Sequence, residues 1–272
     1  MGRINLFIKG NVDVHDSLHS CRIGGELRWN GVNEILRRSS SDIVARVRHE
    51  TFTRSDALAA ANGVIPQTLD GKDLPLGAYP LQSQFSTKLF EPGHDAIVLS
   101  LQPDIATGLY RHRQDGYLFY AAEVESWSRD ERAWLKSDFE LVPPLSVSAA
   151  MDHLSQVITR IQSVNDTPIL VYNLSPVIPG DTTYCYLGLD ETYATRIRRF
   201  NLGLVELSAR FGISIVDVDA LIARHGAQTL KLDAVHLTPL GYELAAAETV
   251  RILSDLGVLD EANQRASGGI QR

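Results

Sequence analysis

Cysteine is scarce. Cys21 and Cys185 are the two in the chain, too far apart in sequence to form a metal knuckle and too few for a disulfide framework. No stretch of about 18 consecutive apolar residues occurs, so no membrane-spanning helix is expected. The N-terminus lacks a basic region followed by an apolar run and a small-residue cleavage site. No signal peptide is therefore expected, and a cytoplasmic location is the default. Neither Gly-x-Gly-x-x-Gly nor a P-loop is present, so a nucleotide cofactor has no support, and no cofactor is expected. Positive charge is in deficit. Lys and Arg number 26 against 33 Asp and Glu, a net charge of -7, which argues against nucleic acid as a partner.

What is present is an ordinary globular balance, 44% hydrophobic and 22% charged, with enough chain for a proper core. Residues 4–8, 95–101, 168–174 and 213–218 are short, nearly continuous apolar runs. Such runs suit strands of a parallel sheet covered on both faces. Between them lie helical patterns. Met151, Leu154, Val157, Ile158 and Ile161 fall at helical spacing within 146–164, and Ile197, Phe200, Leu204, Leu207 and Phe211 do so within 191–211. Alternating strands and helices predict an α/β fold with a parallel sheet. Residues 1–260 read as one domain. Residues 64–84 and 175–190 read as loops. Residues 105–145, which hold two of the three tryptophans and the Arg111-His112-Arg113 cluster, read as an insertion or lid. The polar tail 261–272 is expected to fray.

In open α/β sheets, ligands bind outside the carboxyl ends of the strands. Each suggestive segment follows a strand: 9–17 the first, Gln102-Pro103-Asp104 the second, 173–176 the third. Near the end, Asp233-Ala234-Val235-His236 runs into Leu237-Thr238-Pro239-Leu240-Gly241-Tyr242 and a last helix. An Asp three residues before a His supplies an imidazole base and a carboxylate to orient it.

A strand and Gly turn at the N-terminus, with Asp-x-x-His before the last helix, resemble the SGNH (GDSL-type) hydrolase superfamily. The resemblance implies a flavodoxin-like three-layer α/β/α sandwich. It also implies a Ser-His-Asp esterase acting on an ester or O-acyl group of a small metabolite or saccharide, with His236 as base and Asp233 orienting it. That family carries Gly-Asp-Ser after its first strand, whereas this chain has Gly10-Asn11-Val12. Val12 therefore falls at the nucleophile position. Ser17, in an Asp-Ser-Leu triplet, is the replacement candidate, and Ser20 a second. Asn11, Gln102, Asn173, His15 and Asp16 are candidates for oxyanion or substrate binding, and Gly24 or Gly25 would match the family's oxyanion glycine. Two alternatives stand beside the hydrolase. One is an altered domain that binds or transfers acyl groups in a biosynthetic pathway. The other is a metal-dependent enzyme using the His/Asp-rich loop 13–19. No membrane partner is expected in any of these readings.

Overall fold

The computed structural model describes residues 2–39, 42–164, 166–180 and 190–268. Cys185 and most of the loop expected at 175–190 lie outside the described residues, as do the last four residues of the chain. In chain order the strands are β1 (Gly2–Lys9), β2 (Cys21–Ile23), β3 (Glu26–Trp29), β4 (Ile43–Glu50), β5 (Ala96–Ser100), β6 (Leu109–His112), β7 (Leu118–Phe119), β8 (Phe139–Val142), β9 (Ile169–Tyr172) and β10 (Ser214–Val216). The helices are α1 (Val12–Leu18), α2 (Val32–Arg38), α3 (Ser55–Ala60), α4 (Leu81–Gln84), α5 (Gln102–Ala106), α6 (Arg129–Asp138), α7 (Val147–Gln162), α8 (Tyr193–Phe211), α9 (Val218–His225), α10 (Ala227–Leu230), α11 (Pro239–Asp255) and α12 (Val258–Gly268).

The central sheet has the order β10-β9-β5-β1-β4, with every neighbouring pair parallel. This is a doubly wound sheet whose strand order reverses between β1 and β5. A crevice opens at that reversal, at the carboxyl ends of the strands. The apolar runs are buried on both faces because helices cover both. Ile4, Leu6 and Ile8 of β1 pack with α1, α2, α11 and α12, and Phe7 packs with Leu99 of β5 and with α7 and α8 on the opposite face. The three-layer α/β/α expectation holds.

Three elements depart from the sequence reading. First, β4 is a full eight-residue strand paired along all of β1, from Gly2 with Ile43 to Lys9 with Glu50. It lies at the sheet edge, so its charged Arg46 and Arg48 remain compatible with a strand. Second, residues 258–268 do not fray. They form α12, and Ala262 is buried against the start of β1, where a Cβ on Gly2 would meet the Ala262 carbonyl oxygen at 3.0 Å. Third, the 64–84 segment is loop up to Pro80, as expected, but it ends in α4 and is packed rather than free. Leu69, Leu76 and Leu81 form a cluster with Phe119, Trp127, Leu135 and Phe139, above the antiparallel sheet β7-β6-β8. The Gln84 amide ties the two segments. It donates to the carbonyls of Tyr79 and Tyr120 and accepts from the Tyr120 N–H at 2.7 Å. Among the described residues, no helix is long and apolar enough to cross a membrane.

Candidate active site

The last-helix junction is built by local chemistry. Thr238 caps α11 by accepting from the Gly241 N–H, and Pro239 opens the helix with a fixed φ and no N–H to leave unpaired. Gly241 is required by close approach, since a Cβ there would lie 2.6 Å from the Leu230 carbonyl oxygen. The loop is then closed from both ends. Thr238 N–H donates to Leu230, and Leu232 N–H donates to the His236 carbonyl. Within it, Asp233 Oδ1 accepts from the backbone N–H groups of Val235 and His236, each at 2.8 Å, and Oδ2 lies 2.8 Å from His236 Nδ1. Burial opposes the Asp233 charge. The donations from His236 and Val235, with the facing imidazole, outweigh that penalty and hold the carboxyl below its ordinary range. With Nδ1 donating to Asp233, Nε2 of His236 is left as a base.

The opening turn comes next. Gly10 ends β1, and a Cβ there would lie 2.3 Å from Val14 Cγ2, so the turn into α1 tolerates no side chain. Asn11 stands at the helix N-cap without capping it through its side chain. Along α1, Asp13, Val14, Ser17 and Leu18 are buried, while His15 and Asp16 face outward.

The two chain ends meet. A cavity of about 650 Å³ is lined by Asn11, Val12, His15, Asp16, Gln102 and His236, together with His49, Glu50, Thr51, Ala78, Tyr79, Pro80, Ser83 and Val235. A smaller cavity of about 270 Å³ shares Asn11, Tyr79, Gln102 and Val235 and adds Tyr120 and Tyr193. Three buried side-chain oxygens on the first cavity's lining, Asn11 Oδ1, Thr51 Oγ1 and Gln102 Oε1, have no hydrogen-bond partner. Buried polar groups are rarely left so. Among the described residues, no Lys or Arg lines either cavity.

Several sequence expectations need correction. Ser17 does not reach the cleft. It is fully buried, its hydroxyl donates to the Asp13 carbonyl at 2.5 Å, and it also faces the Tyr172 hydroxyl. The helical register turns it inward. Asn173 is spent between β9 and β10, donating to Asp217 at 2.8 Å and accepting from the Asp219 N–H. Gly24 and Gly25 form the tip of the β2–β3 hairpin, away from the cavity lining. The Arg111-His112-Arg113 cluster lies on β6 and just beyond it, where both arginines pair with Glu140 and His112 stacks on Tyr117. Arg196, on α8, is buried and donates to the carbonyls of Ile105 and Leu145. The loop 13–19 is not a ligand set either. Asp13 accepts from Ser100, and His15 and Asp16 bond each other. Among the described residues no three His, Cys, Asp or Glu side chains are grouped to hold a metal ion.

The end of β4 and residues 78–83 escaped sequence reasoning. His49 holds its Nε2 against the Gly10 carbonyl at 2.9 Å, and burial, with the charges of His15, His19 and Lys9, pulls it down to about 4. It is therefore neutral at pH 7. Beneath it, the buried Lys9 amine pairs with Glu50 at 3.0 Å and donates to the Ser83 carbonyl, fastening the 78–83 wall to the sheet.

No family model matches the chain, and no curated protein matches it. Solved structures do. A member of the lipolytic G-D-S-L family from Veillonella parvula is 12% identical, with 92% of this chain and 98% of that chain covered and a TM-score of 0.48. A lipase/acylhydrolase from Enterococcus faecalis is 12% identical over 93% and 95%, with a TM-score of 0.48. The acetyl xylan esterase AlAXEase is 10% identical over 92% and 100%, with a TM-score of 0.49. At these identities the likeness concerns fold, and the chemistry has to be argued from the cleft itself.

Proposed function

We propose that the cleft hydrolyses a neutral ester or O-acyl group of a small polar molecule or saccharide, with water rather than serine as the nucleophile. The observation that carries this is the His236–Asp233 pair, set at 2.8 Å in a cleft whose nucleophile position is occupied by Val12. The imidazole base and its orienting carboxylate are present, and the serine they would serve is not. His236 Nε2 takes a proton from a water that attacks the acyl carbon, and Asp233 steadies the imidazolium. The side-chain amides of Asn11 and Gln102 supply donors for the developing oxyanion. An anionic substrate is disfavoured by the lining, which holds no described Lys or Arg and whose Asp16 and Glu50 carboxylates are already paired with His15 and Lys9. Tyr79 and Tyr120, edge to face at 4.6 Å, give a wall suited to the apolar face of a sugar or acyl chain.

Val12 favours a second reading, a binding module that holds such a ligand without turning it over. A panel of neutral acyl esters separates the two. Native protein is expected to hydrolyse at least one of them, His236→Ala to lose that turnover while keeping its fold, and a fluorophosphonate probe to leave both unlabelled. Saturable binding with no turnover would favour the module. A fluorophosphonate adduct on a serine would overturn the water mechanism.

A further inference from the structure

We propose that His15, held by Asp16, is the general acid of this cleft, protonating the departing alkoxide opposite the His236 base. The inference rests on the hydrolase reading above. A second imidazole–carboxylate pair lines the same cavity as the first. His15 Nδ1 lies 2.7 Å from Asp16 Oδ1, so Nε2 is the nitrogen left for a ligand, and the side chain is 35% exposed on the outward face of α1. It stands one helical turn beyond Val12 and lines the same cavity as His236.

The other nearby imidazoles do not compete for this role. His49 is buried, neutral and committed to Gly10. His19 does not line the cavity, and its Nδ1 faces the Ser20 hydroxyl at 3.1 Å. Both rings instead pack on His15, at 5.1 Å for His19 and 4.8 Å for His49, and fix its plane.

The proton inventory closes. Water oxygen bonds to the acyl carbon while its proton passes to His236 Nε2. The tetrahedral intermediate then breaks its bond to the alkoxy oxygen, which takes the proton from His15 Nε2. Carboxylic acid and alcohol leave, and solvent returns the two imidazoles to their starting forms. A serine enzyme's single imidazole takes the nucleophile's proton and returns it to the leaving group of the same tetrahedral intermediate. Here a second imidazole lines the same cavity and takes over the second transfer.

The test compares two neutral esters of the same acid, one with an alkyl alcohol and one with p-nitrophenol, whose anion leaves without an acid. His15→Gln should lower hydrolysis of the alkyl ester by about 10²-fold or more, and of the nitrophenyl ester by less than about tenfold. Asp16→Asn should move the same ratio in the same direction, which protects the test should the His15 variant fold poorly by circular dichroism. Equal losses on both esters overturn the assignment. His236→Ala should abolish both activities. If it spares them, or if native protein turns over neither ester, the hydrolase reading itself fails and takes the acid with it.

Discussion

On the inner face of α1, Asp13 and Ser17 belong to a buried polar network. Ser100 donates to Asp13 Oδ2, Ser17 donates to the Asp13 carbonyl, Trp29 Nε1 donates to the Ser17 carbonyl at 2.8 Å, and Tyr172 joins Thr249 at 2.7 Å. Burial pushes the Asp13 carboxyl up, against the opposing bond from Ser100. On the outer face of the same seven-residue helix, His15 and Asp16 carry the same kinds of group into a water-accessible cleft. Both faces have a carboxylate and a partner. The inner groups are buried and held in place by the fold, with Asp13 Oδ1 alone left without a partner among the described residues, and the outer pair lines the cavity. Chemical type does not separate a structural group from a reactive one here. A rotation of about 100° per residue about the helix axis does.

The sharpest way to break this comparison is to move a hydroxyl between faces. Val12→Ser puts an alcohol on the cleft side, in the same cavity as His236. The expected result is a change from no fluorophosphonate labelling to labelling at residue 12, with a burst of product marking an acyl-enzyme. Absence of labelling in a folded variant would mean that His236 does not serve that position. The converse change is smaller. Ser17→Ala removes a buried hydroxyl from the inner network and should cost about 1–2 kcal/mol, a melting shift of a few degrees, with ester turnover unaltered. Lost turnover at unchanged stability would return Ser17 to the chemistry.

The layering was legible because the strands of the sheet interior are apolar on both faces, and the Asp233–His236 pair was legible because an Asx turn, a Thr cap, Pro and Gly make that junction almost entirely from neighbours in sequence. The register of α1 was not. A helix this short has no periodicity to count, so nothing in the sequence showed that Ser17, the replacement candidate for Val12, turns inward while Val12 lines the cleft. The end of β4 was hidden for another reason. An edge strand faces solvent on one side, so Arg46 and Arg48 mask the pattern that would have placed His49, Glu50 and Thr51 at the crevice. The wall at 78–83 depends on long-range ties, the Lys9 amine to Ser83 and the Gln84 amide to Tyr120, which no local pattern announces.

The same inside–outside division recurs on α5, and there it sharpens into a dependence on pH. Gln102 faces the cleft, while Asp104, two residues on, is completely buried and accepts from both the Ser55 N–H at 2.9 Å and the Ser55 hydroxyl at 2.7 Å. Burial pushes its carboxyl up to about 7, with the Ser55 bonds and Arg54 opposing and Asp56 assisting. In the unfolded chain an Asp titrates at roughly 4. Between those values the folded state keeps a proton that the unfolded state gives up, so the contribution of Asp104 to stability is full below about pH 4. It declines as pH rises and is lost above about pH 7. Asp104→Asn keeps the oxygen that Ser55 needs and removes the titration. Denaturant unfolding at a series of pH values should therefore show the native protein losing stability relative to the variant across that window, with the difference levelling off above it. Parallel curves would mean that Asp104 is ionised inside the fold, and that the inner face of α5 carries charge after all.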